Sequence, residues 1–339
     1  MLTIQSNISL KPYNTFGIDA LSRYFIEINA EEDLQTLYQL AELQRLDKLI
    51  LGGGSNIVLT QDFGGLTIKI SIKGIEQIRE DNAHVWLKVG AGESWHGLVL
   101  HCVERGYGGI ENLALIPGTV GAAPIQNIGA YGVELKDTFQ ELCAVEVATG
   151  QKLVFSKTDC QFGYRDSIFK QHAKERYFIT SVTLRLNKTP VFRTEYGDIQ
   201  KTLEQMGVKE PSIRAISEAV IKIRRSKLPD PAELGNAGSF FKNPEILKID
   251  HAALQTDYPE MPSYPIDTTT VKIPAGWLIE QCGWKGKRLG NVGVHARQAL
   301  VLVNYGGGTG LEIRQLSEKI QQSVQARFGI KLQPEVNFV

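Results

Sequence analysis

A glycine-rich turn between two apolar runs is the first stretch whose residue types suggest chemistry. It consists of five small or polar residues, namely Gly52, Gly53, Gly54, Ser55 and Asn56. Consecutive glycines let a backbone turn sharply and expose N–H groups that can hold an anion such as a pyrophosphate. A strand-to-strand turn without any ligand also fits, so these residues alone leave both interpretations open.

Neither of the two best-known phosphate loops fits this turn. A Rossmann fingerprint needs glycine or alanine where Ile57 stands, followed by a helix, whereas residues 57–59 are apolar and predict a strand. A P-loop needs Gly-Lys-Ser or Gly-Lys-Thr, and the sequence contains neither. We therefore predict a strand–turn–strand unit that holds a pyrophosphate in a different way.

Three other polar residues lie in segments that packing alone does not explain. Arg165 follows a tyrosine in a Gly-Tyr-Arg-Asp turn, Ser239 stands between a glycine and two phenylalanines, and Glu335 lies in an apolar closing segment. A hydroxyl group beside apolar bulk can donate a proton in a dry pocket. Each residue also has an ordinary interpretation: a surface turn with an ion pair, a turn serine, and a solvated carboxylate at a strand edge.

Two further segments are candidates for ligand contacts. Residues 116–132 are rich in glycine and alanine and nearly free of charge, which suits the wall of a cofactor cleft, although a tight structural crossover fits as well. Arg224, Arg225 and Lys227 form a basic cluster, which is either a docking site for phosphates or a solvated helix end.

Helix and strand patterns indicate how these residues are positioned. Capping boxes predict helices at Asn29 with Glu32 and at Thr309 with Glu312, and Ser94 predicts a helix that ends near residue 106. Further helices are predicted over residues 212–225 and 274–282. Strands are predicted over residues 48–51, 57–59, 66–70, 85–89, 142–148, 152–155, 178–186, 290–295, 299–304 and 331–339.

Composition narrows the class of protein. The 339 residues predict about two domains, and the 37 basic and 37 acidic residues cancel, which disfavours a nucleic-acid-binding surface. The spacing of the cysteines and histidines predicts no disulfide framework and no metal site. No signal peptide and no apolar run of the roughly 20 residues needed for a membrane span is visible, so we expect a cytoplasmic protein.

Six motifs in one order closely resemble the UDP-N-acetylenolpyruvoylglucosamine reductase family of bacterial peptidoglycan synthesis. They are Asn14-Thr15-Phe16-Gly17, Gly52-Gly53-Gly54-Ser55-Asn56, Ile116-Pro117-Gly118-Thr119-Val120-Gly121, Gly163-Tyr164-Arg165, Gly238-Ser239-Phe240-Phe241-Lys242-Asn243-Pro244 and Pro334-Glu335-Val336. Each motif alone is weak, whereas six in order across nearly the whole chain are specific. Glu195-Tyr196-Gly197-Asp198 is similar to the tyrosine loop of the first of the family's two types.

The resemblance implies an α+β fold. An FAD-binding domain of the vanillyl-alcohol-oxidase type, built of two α/β subdomains, is followed by a C-terminal α/β substrate-binding domain. It places the first subdomain at residues 1–70, closed by strand 331–339, the second at 71–210 and the substrate domain at 211–330. A monomer is expected, with a small-molecule substrate and no nucleic-acid or membrane partner.

The resemblance also implies FAD as the cofactor and NADPH as the co-substrate. The residues that it assigns to the cofactor are Gly52, Gly53, Gly54, Ser55, Asn56, Ile116, Ile125, Gln126, Gly129 and Arg224. Some relatives in the wider superfamily attach flavin covalently through a histidine in the glycine loop. This loop contains no histidine, so non-covalent FAD is expected.

The implied substrate is UDP-N-acetylglucosamine enolpyruvate. Arg165 and Glu335 resemble the residues that stabilise the enolate formed after hydride transfer, and Ser239 resembles the acid that protonates its carbon. The positions that match substrate-binding residues are Tyr164, Tyr196, Lys227 and Asn243, with Lys227 matching a diphosphate contact.

Two other functions stay open on the sequence. An FAD oxidase or dehydrogenase of the same superfamily that acts on an alcohol would not need Ser239 together with Arg165 and Glu335. A flavin- or nucleotide-binding protein without activity would be favoured by a degraded catalytic set, but all three residues stand in their motifs.

Overall fold

A computed structural model describes residues 2–339, except for the side chain of residue 41, and divides them into two compact units. The first unit contains residues 2–8, Ser22–Gly54 and Phe63–Ser226. The second contains Ser9–Leu21, Ser55–Asp62 and Lys227–Val339. Each unit is therefore assembled from segments that are distant in sequence.

The described chain contains both helices and strands, in the mixed order that the sequence patterns predict. The helices are α1 Glu31–Gln39, α2 Ala41–Gln44, α3 Trp95–Arg105, α4 Ile199–Gln205, α5 Ile213–Lys227, α6 Lys248–Asp257, α7 Ala275–Gln281 and α8 Gly310–Phe328. The strands are β1 Gln5–Ser9, β2 Leu21–Ile28, β3 Lys48–Leu51, β4 Ile57–Val58, β5 Phe63–Ile70, β6 Ile75–Glu80, β7 His84–Gly90, β8 Gly129–Ala130, β9 Val133–Glu134, β10 Phe139–Glu146, β11 Lys152–Ser156, β12 Tyr177–Asn187, β13 Gly235–Ser239, β14 Glu245–Leu247, β15 Tyr264–Pro265, β16 Thr270–Lys272, β17 Arg288–Leu289, β18 Val292–Val294, β19 Val301–Asn304 and β20 Asn337–Phe338.

The first unit contains two larger sheets and the two-stranded pair of β8 and β9. One has the order β1-β2-β5-β3, in which β2 and β3 both run parallel to β5. The other has the order β11-β10-β12-β7-β6, and all its neighbours are antiparallel. One continuous apolar core joins residues of both sheets and of α1, α3 and α5; its members include Ile26, Leu34, Leu87, Leu98 and Ile216.

The second unit is built around the antiparallel sheet β13-β19-β18-β17, with a small sheet β14-β16-β15 and a parallel pair of β4 and β20. Part of its core is a cluster of phenylalanine rings around Phe240. The ring of Phe240 packs edge-on against Phe16, Phe241 and Phe338, with ring centroids 5.1–6.3 Å apart. Helix α8 contributes its buried face, including Ile313 and Ile320.

Two of the predicted helix starts are confirmed. The Ser94 hydroxyl accepts the Gly97 N–H at 3.2 Å, and α3 ends at Gly106, which has a left-handed φ of 72°. At the start of α8, the Thr309 hydroxyl accepts the Glu312 N–H at 3.2 Å, and the Glu312 carboxylate accepts the Thr309 N–H at 2.7 Å. These caps satisfy backbone groups that would otherwise have no partner within the helix.

The predicted capping box of Asn29 and Glu32 is wrong. Helix α1 begins at Glu31, and the Asp33 carboxylate accepts the N–H groups of Asn29 and Ala30, at 2.8 Å and 3.0 Å. Asp33 takes this role because it stands three residues after Ala30, the position from which a side chain reaches back to the helix start. Glu32 lies one residue too early.

The predicted strand 331–339 is much shorter in the structure. Only β20 is a strand, and it pairs in parallel with β4, with Asn337 opposite Ile57. Pro334 has no N–H to donate, which interrupts a longer ladder. The strands predicted over residues 142–148 and 152–155 are confirmed, and they form the antiparallel pair of β10 and β11. Among residues 2–339, no helix is both long enough and apolar enough to cross a membrane.

Gly310 provides a test of the second unit's packing. A Cβ atom at this position would collide with the carbonyl oxygen of Leu59, a backbone atom that cannot rotate away. We expect Gly310→Ala to lower the free energy of unfolding toward the upper end of the ~1–3 kcal/mol typical of overpacking. Urea unfolding followed by fluorescence measures this, with Gly64→Ala as the control because a Cβ there meets nothing within 4 Å. Equal stability of the two variants would contradict the close packing at Gly310.

Candidate functional site

The glycine turn lies where two backbones approach each other very closely. A Cβ atom on Gly52 would lie 2.5 Å from Thr119 Oγ1, and one on Gly53 would lie 2.8 Å from Gly118 Cα. Gly54 has a left-handed φ of 61°. Glycine is required at these positions because any side chain would push residues 118–119 away.

The same turn has the donors that an anion needs. Among residues 2–339, the backbone N–H groups of Gly53 and Gly54 donate to no other group. The turn connects β3 to β4, so the predicted strand–turn–strand form is confirmed. Because backbone N–H groups presented in this way suit phosphate oxygens, the turn fits the pyrophosphate of a dinucleotide cofactor.

The small-residue segment forms a tightly packed wall. A 3₁₀ helix covers Val120–Gln126, and a Cβ on Gly121 would lie 2.5 Å from the Cβ of Ala91. Ile125 nevertheless keeps 36% of its surface exposed, and Ile116 and Gln126 are half-buried. An apolar side chain left accessible on a rigid backbone is suited to contact a flat ligand.

Asn127 fixes the end of this wall. It is fully buried and adopts a left-handed φ of 44°. Its Nδ2 donates to the carbonyl oxygen of Gly163 at 2.9 Å and to Glu134 at 3.1 Å, while its Oδ1 accepts the Lys136 N–H at 3.0 Å. The wall and the turn that carries Arg165 are therefore held together by one buried amide.

Arg165 lies in a tight turn closed by Gly163 and Asp166, whose backbone groups exchange hydrogen bonds at 3.0 Å and 3.3 Å. Arg165 itself has a left-handed φ of 52°. Its Nη2 donates to the Gly129 carbonyl oxygen at 2.5 Å, and its guanidinium lies 5.6 Å from the centre of the Tyr164 ring. The structure thus brings Arg165 to the wall residue Gly129, both of which were predicted site residues.

Arg224 reaches the residue that precedes Ile116. Its Nε donates to the carbonyl oxygen of Leu115 at 3.2 Å, and the Leu115 N–H donates to His96 Nδ1 at 3.0 Å. Leu115 has a left-handed φ of 58°, which is unfavourable for leucine. Both polar groups of this strained residue are therefore held by side chains from α3 and α5.

The remaining predicted residue of the first unit, Tyr196, lies in the segment between β12 and α4 with 56% of its surface exposed. Its Cβ lies against Gly132, where an added Cβ would be 3.4 Å away. The first unit therefore brings Tyr196 close to the segment of residues 129–132.

Ser239, in the second unit, ends β13 beside Val301 of β19 and is exposed. The preceding Gly238 has a left-handed φ of 69°, and its N–H donates to Asn236 Oδ1 at 2.9 Å. Phe240 is completely buried behind it. Ser239 is thus exposed at a strand end in front of an apolar core, rather than enclosed in a dry pocket.

Glu335 and Asn56 are brought together in the second unit. The Asn56 Nδ2 donates to the backbone carbonyl oxygen of Glu335 at 3.1 Å, and the Asn337 N–H donates to that of Asn56 at 3.0 Å. The Glu335 N–H donates to the carbonyl oxygen of Phe240 at 2.8 Å, and only 9% of Glu335 is exposed. Glu335 is therefore not the solvated carboxylate of the ordinary interpretation.

The two other substrate candidates of the second unit have different settings. Lys227 is the exposed last residue of α5. Asn243 is half-buried. Its Oδ1 accepts, at 2.9 Å, the N–H of Ala275, which is the first residue of α7. This bond gives Asn243 a structural role as well, since it satisfies a backbone donor at the helix start.

Sequence reasoning missed three residues that hold the site. Asn127 and Thr119 lie within residues 116–132, whose richness in glycine and alanine already indicates a close backbone approach. That composition could have drawn attention to both residues. His96 has no such signal, because nothing in its neighbourhood in the sequence indicates that it accepts a hydrogen bond from Leu115. Among residues 2–339, no group of His, Cys, Asp and Glu side chains comes together as a metal site would require.

Known proteins are similar to this chain over its whole length. A family model described as UDP-N-acetylenolpyruvoylglucosamine reductase, C-terminal domain, matches residues 230–339, and an FAD binding domain model matches residues 22–155. The chain is 54% identical to UDP-N-acetylenolpyruvoylglucosamine reductase of Amoebophilus asiaticus and 51% identical to that of Flavobacterium johnsoniae, in both cases over 100% of each chain.

A solved structure shows the same fold. The crystal structure of UDP-N-acetylenolpyruvylglucosamine reductase from Thermus caldophilus aligns with a TM-score of 0.68 and 22% identity, over 100% of this chain and 99% of that one. Together with the two domain matches, it confirms the predicted α+β fold with an FAD-binding part and a distinct C-terminal domain.

His96 provides a pH test of the contact with Leu115. Burial, followed by the charges of Arg225 and Arg224, lowers the pKa of His96 below the ordinary 6.5. Because the unfolded chain then binds this proton more readily, the contribution of neutral His96 to stability is present above about pH 6.5 and is lost as the pH falls through the folded-state pKa. His96→Asn keeps an acceptor for the Leu115 N–H but does not titrate.

We therefore expect the free energy of unfolding of His96→Asn to fall less steeply below pH 6.5 than that of the wild type. Urea titrations between pH 5 and pH 8 measure this slope. His172→Asn, at an exposed position, is the matched control and should follow the wild type. If His96→Asn also follows the wild type throughout, His96 is not the neutral acceptor described above.

Proposed function

Since the chain belongs to the UDP-N-acetylenolpyruvoylglucosamine reductase family, we propose that it reduces UDP-N-acetylglucosamine enolpyruvate to UDP-N-acetylmuramate with NADPH and FAD. The observation that carries the proposal is the identity of 54% over the full length of a reductase. The glycine turn supports it, because its N–H groups and close backbone contacts are those that a dinucleotide cofactor needs.

The residues that would hold FAD come from several segments. Gly53 and Gly54 would donate to the pyrophosphate, with Gly52 allowing the close approach of residues 118–119. Ser55 and Asn56 would continue the contact, while Ile116, Ile125, Gln126, Gly129 and Arg224 would line the rest of the cofactor. Bound FAD would take up electrons from NADPH and pass a hydride to the methylene carbon of the enolpyruvyl group.

When hydride is transferred to the enolpyruvyl group, side chains of the protein would stabilise the developing negative charge and supply a proton. Negative charge develops on the carbon next to the methylene group and on its carboxylate, and Arg165 and Glu335 would stabilise it. The bond from Arg165 to Gly129 supports this role, because it fixes the guanidinium before substrate arrives. Ser239 would protonate the carbon, and its position at a rigid strand end suits a directed donor.

Substrate recognition is assigned to Tyr164, Tyr196, Lys227 and Asn243. Lys227 would contact the diphosphate, for which its exposed ammonium is suited. Tyr196 would close over the nucleotide sugar from its exposed segment. For the domains, we propose FAD-binding subdomains at residues 1–70, with 331–339, and at 71–210, and a substrate-binding domain at 211–330.

We further propose a monomer of the bacterial cytoplasm that binds a small molecule and neither nucleic acid nor a membrane. The balance of 37 basic and 37 acidic residues supports the part of this proposal that concerns nucleic acid, because binding to a polyanion usually requires a basic excess.

Loss of NADPH absorbance tests the proposed activity. We expect the purified protein to be yellow, to release FAD on acid precipitation because residues 52–56 contain no histidine, and to consume NADPH at a rate that depends on the enolpyruvyl substrate. Omitting the substrate is the control. Oxidation of an alcohol with uptake of oxygen and without NADPH would instead favour an oxidase or dehydrogenase, and protein that never contains flavin would contradict the proposal.

Ser239→Ala should separate the two halves of the reaction. Flavin reduction by NADPH needs no proton from Ser239, so its rate should be unchanged. The oxidation of reduced flavin by the enolpyruvyl substrate should slow by about 10²–10⁴-fold, the usual contribution of a positioned general acid. Stopped-flow absorbance of the flavin follows both phases in one protein. Slowing of the first phase with a normal second phase would make Ser239 part of the cofactor site instead.

A further inference from the structure

A strained two-residue turn connects β8 to β9 in the first unit. Tyr131 and Gly132 have φ values of 49° and 79°, and Ala130 pairs with Val133 across the turn. Two successive left-handed residues between paired strands form a type I′ turn, in which tyrosine is unfavourable at the first position. The surrounding structure must therefore hold this turn in place.

The segment that carries Tyr196 packs on this turn through two complementary contacts. The main chain of Gly132 lies against Tyr196, and the main chain of Gly197 lies against the Tyr131 ring; a Cβ on either glycine would lie 3.4 Å from the tyrosine. Arg193 Nη1 adds a hydrogen bond to the Gly132 carbonyl oxygen at 2.7 Å. The turn thus acts as a platform on which residues 193–197 rest.

Asn112 connects the platform and the segment from beneath. It is 1% exposed and lies in a 3₁₀ helix over Glu111–Leu113. Its Nδ2 donates to the carbonyl oxygen of Tyr131 at 3.0 Å and to that of Arg193 at 2.9 Å. Both amide protons of one buried side chain are used to join two backbones that have no strand pairing with each other.

We propose that Asn112 is a positioning residue that sets the affinity for the nucleotide-sugar substrate by holding the segment of residues 193–197 on the Tyr131–Gly132 turn. The inference rests on the proposed function in one respect only, the contact of Tyr196 with substrate. Tyr196 lies in an exposed segment without helix or strand, so holding the segment in one conformation costs entropy. The hydrogen bonds of Asn112 and the packing on the turn offset that cost.

Asn112→Leu tests the clamp, because leucine matches asparagine in shape but donates no hydrogen bond. Cleavage by trypsin after Arg193, followed by mass spectrometry, reports how often the segment leaves the turn. Loss of two hydrogen bonds predicts cleavage faster by about 5- to 150-fold. The KM for the enolpyruvyl substrate should rise by a similar factor, while the rate of flavin reduction by NADPH is unchanged. A merely structural defect would change both half-reactions.

Two more variants keep the test decisive if Asn112→Leu folds poorly. Arg193→Ala removes the bond to Gly132 from a residue that is itself exposed, and its KM should rise about 2- to 10-fold, the worth of one such bond. Val191→Ala, two residues before Arg193 and 91% exposed, is the matched control and should leave KM unchanged.

The outcomes separate the inference from the proposed function. Unchanged KM in both Asn112→Leu and Arg193→Ala would overturn the inference, as would faster cleavage after Arg193 without any change in KM. If the wild-type protein does not turn over the enolpyruvyl substrate, the proposed function fails. In that case an unchanged cleavage rate in Asn112→Leu would show that the clamp is also absent.

Discussion

The close approach of Gly52 and Gly53 to Gly118 and Thr119 is the contact on which the first unit's site depends. A Cβ atom on Gly53 would lie 2.8 Å from Gly118 Cα, so no other residue type fits there without moving one of the two backbones. The approach sets where residues 118–130 lie, and that segment in turn carries Gly129, which receives the Arg165 guanidinium. A glycine pair near the start of the chain thereby positions a cation more than a hundred residues later.

Backbone strain is concentrated near the same segment. Four of the seven non-glycine residues with positive φ in residues 2–339 lie around this segment, namely Leu115, Asn127, Tyr131 and Arg165. Each such residue costs about 1 kcal/mol or more and persists only where neighbours over-determine it. Here the neighbours are identifiable: His96 and Arg224 hold Leu115, and Asn112 holds Tyr131. The rigidity of the site is thus maintained by buried polar side chains.

The sequence predicted the local features well and the long-range ones only through the family resemblance. Ser94 and Thr309 were recognised because a cap depends on neighbours within one helical turn. The length of β20 was overestimated because Pro334 interrupts the ladder and because the pairing partner β4 lies 280 residues away, where no local pattern reveals it. The bonds of His96 and Asn112 were not predictable for the same reason. Two asparagines can look identical in sequence when only one is enclosed by the fold.

The pairing of β4 with β20 also has a consequence for synthesis on the ribosome. Asn56 and Thr60 bond to Glu335 and Val339, each across 279 residues. At roughly 5–20 residues per second, the strand around Ile57 waits about 15–60 s for its partner to be translated. Throughout that interval the apolar strand lacks its partner, whereas residues 118–119, which lie against the glycine turn, are translated much earlier. The backbone groups of Ile57 and Val58 therefore stay without their strand partner until residues 337–338 have been translated.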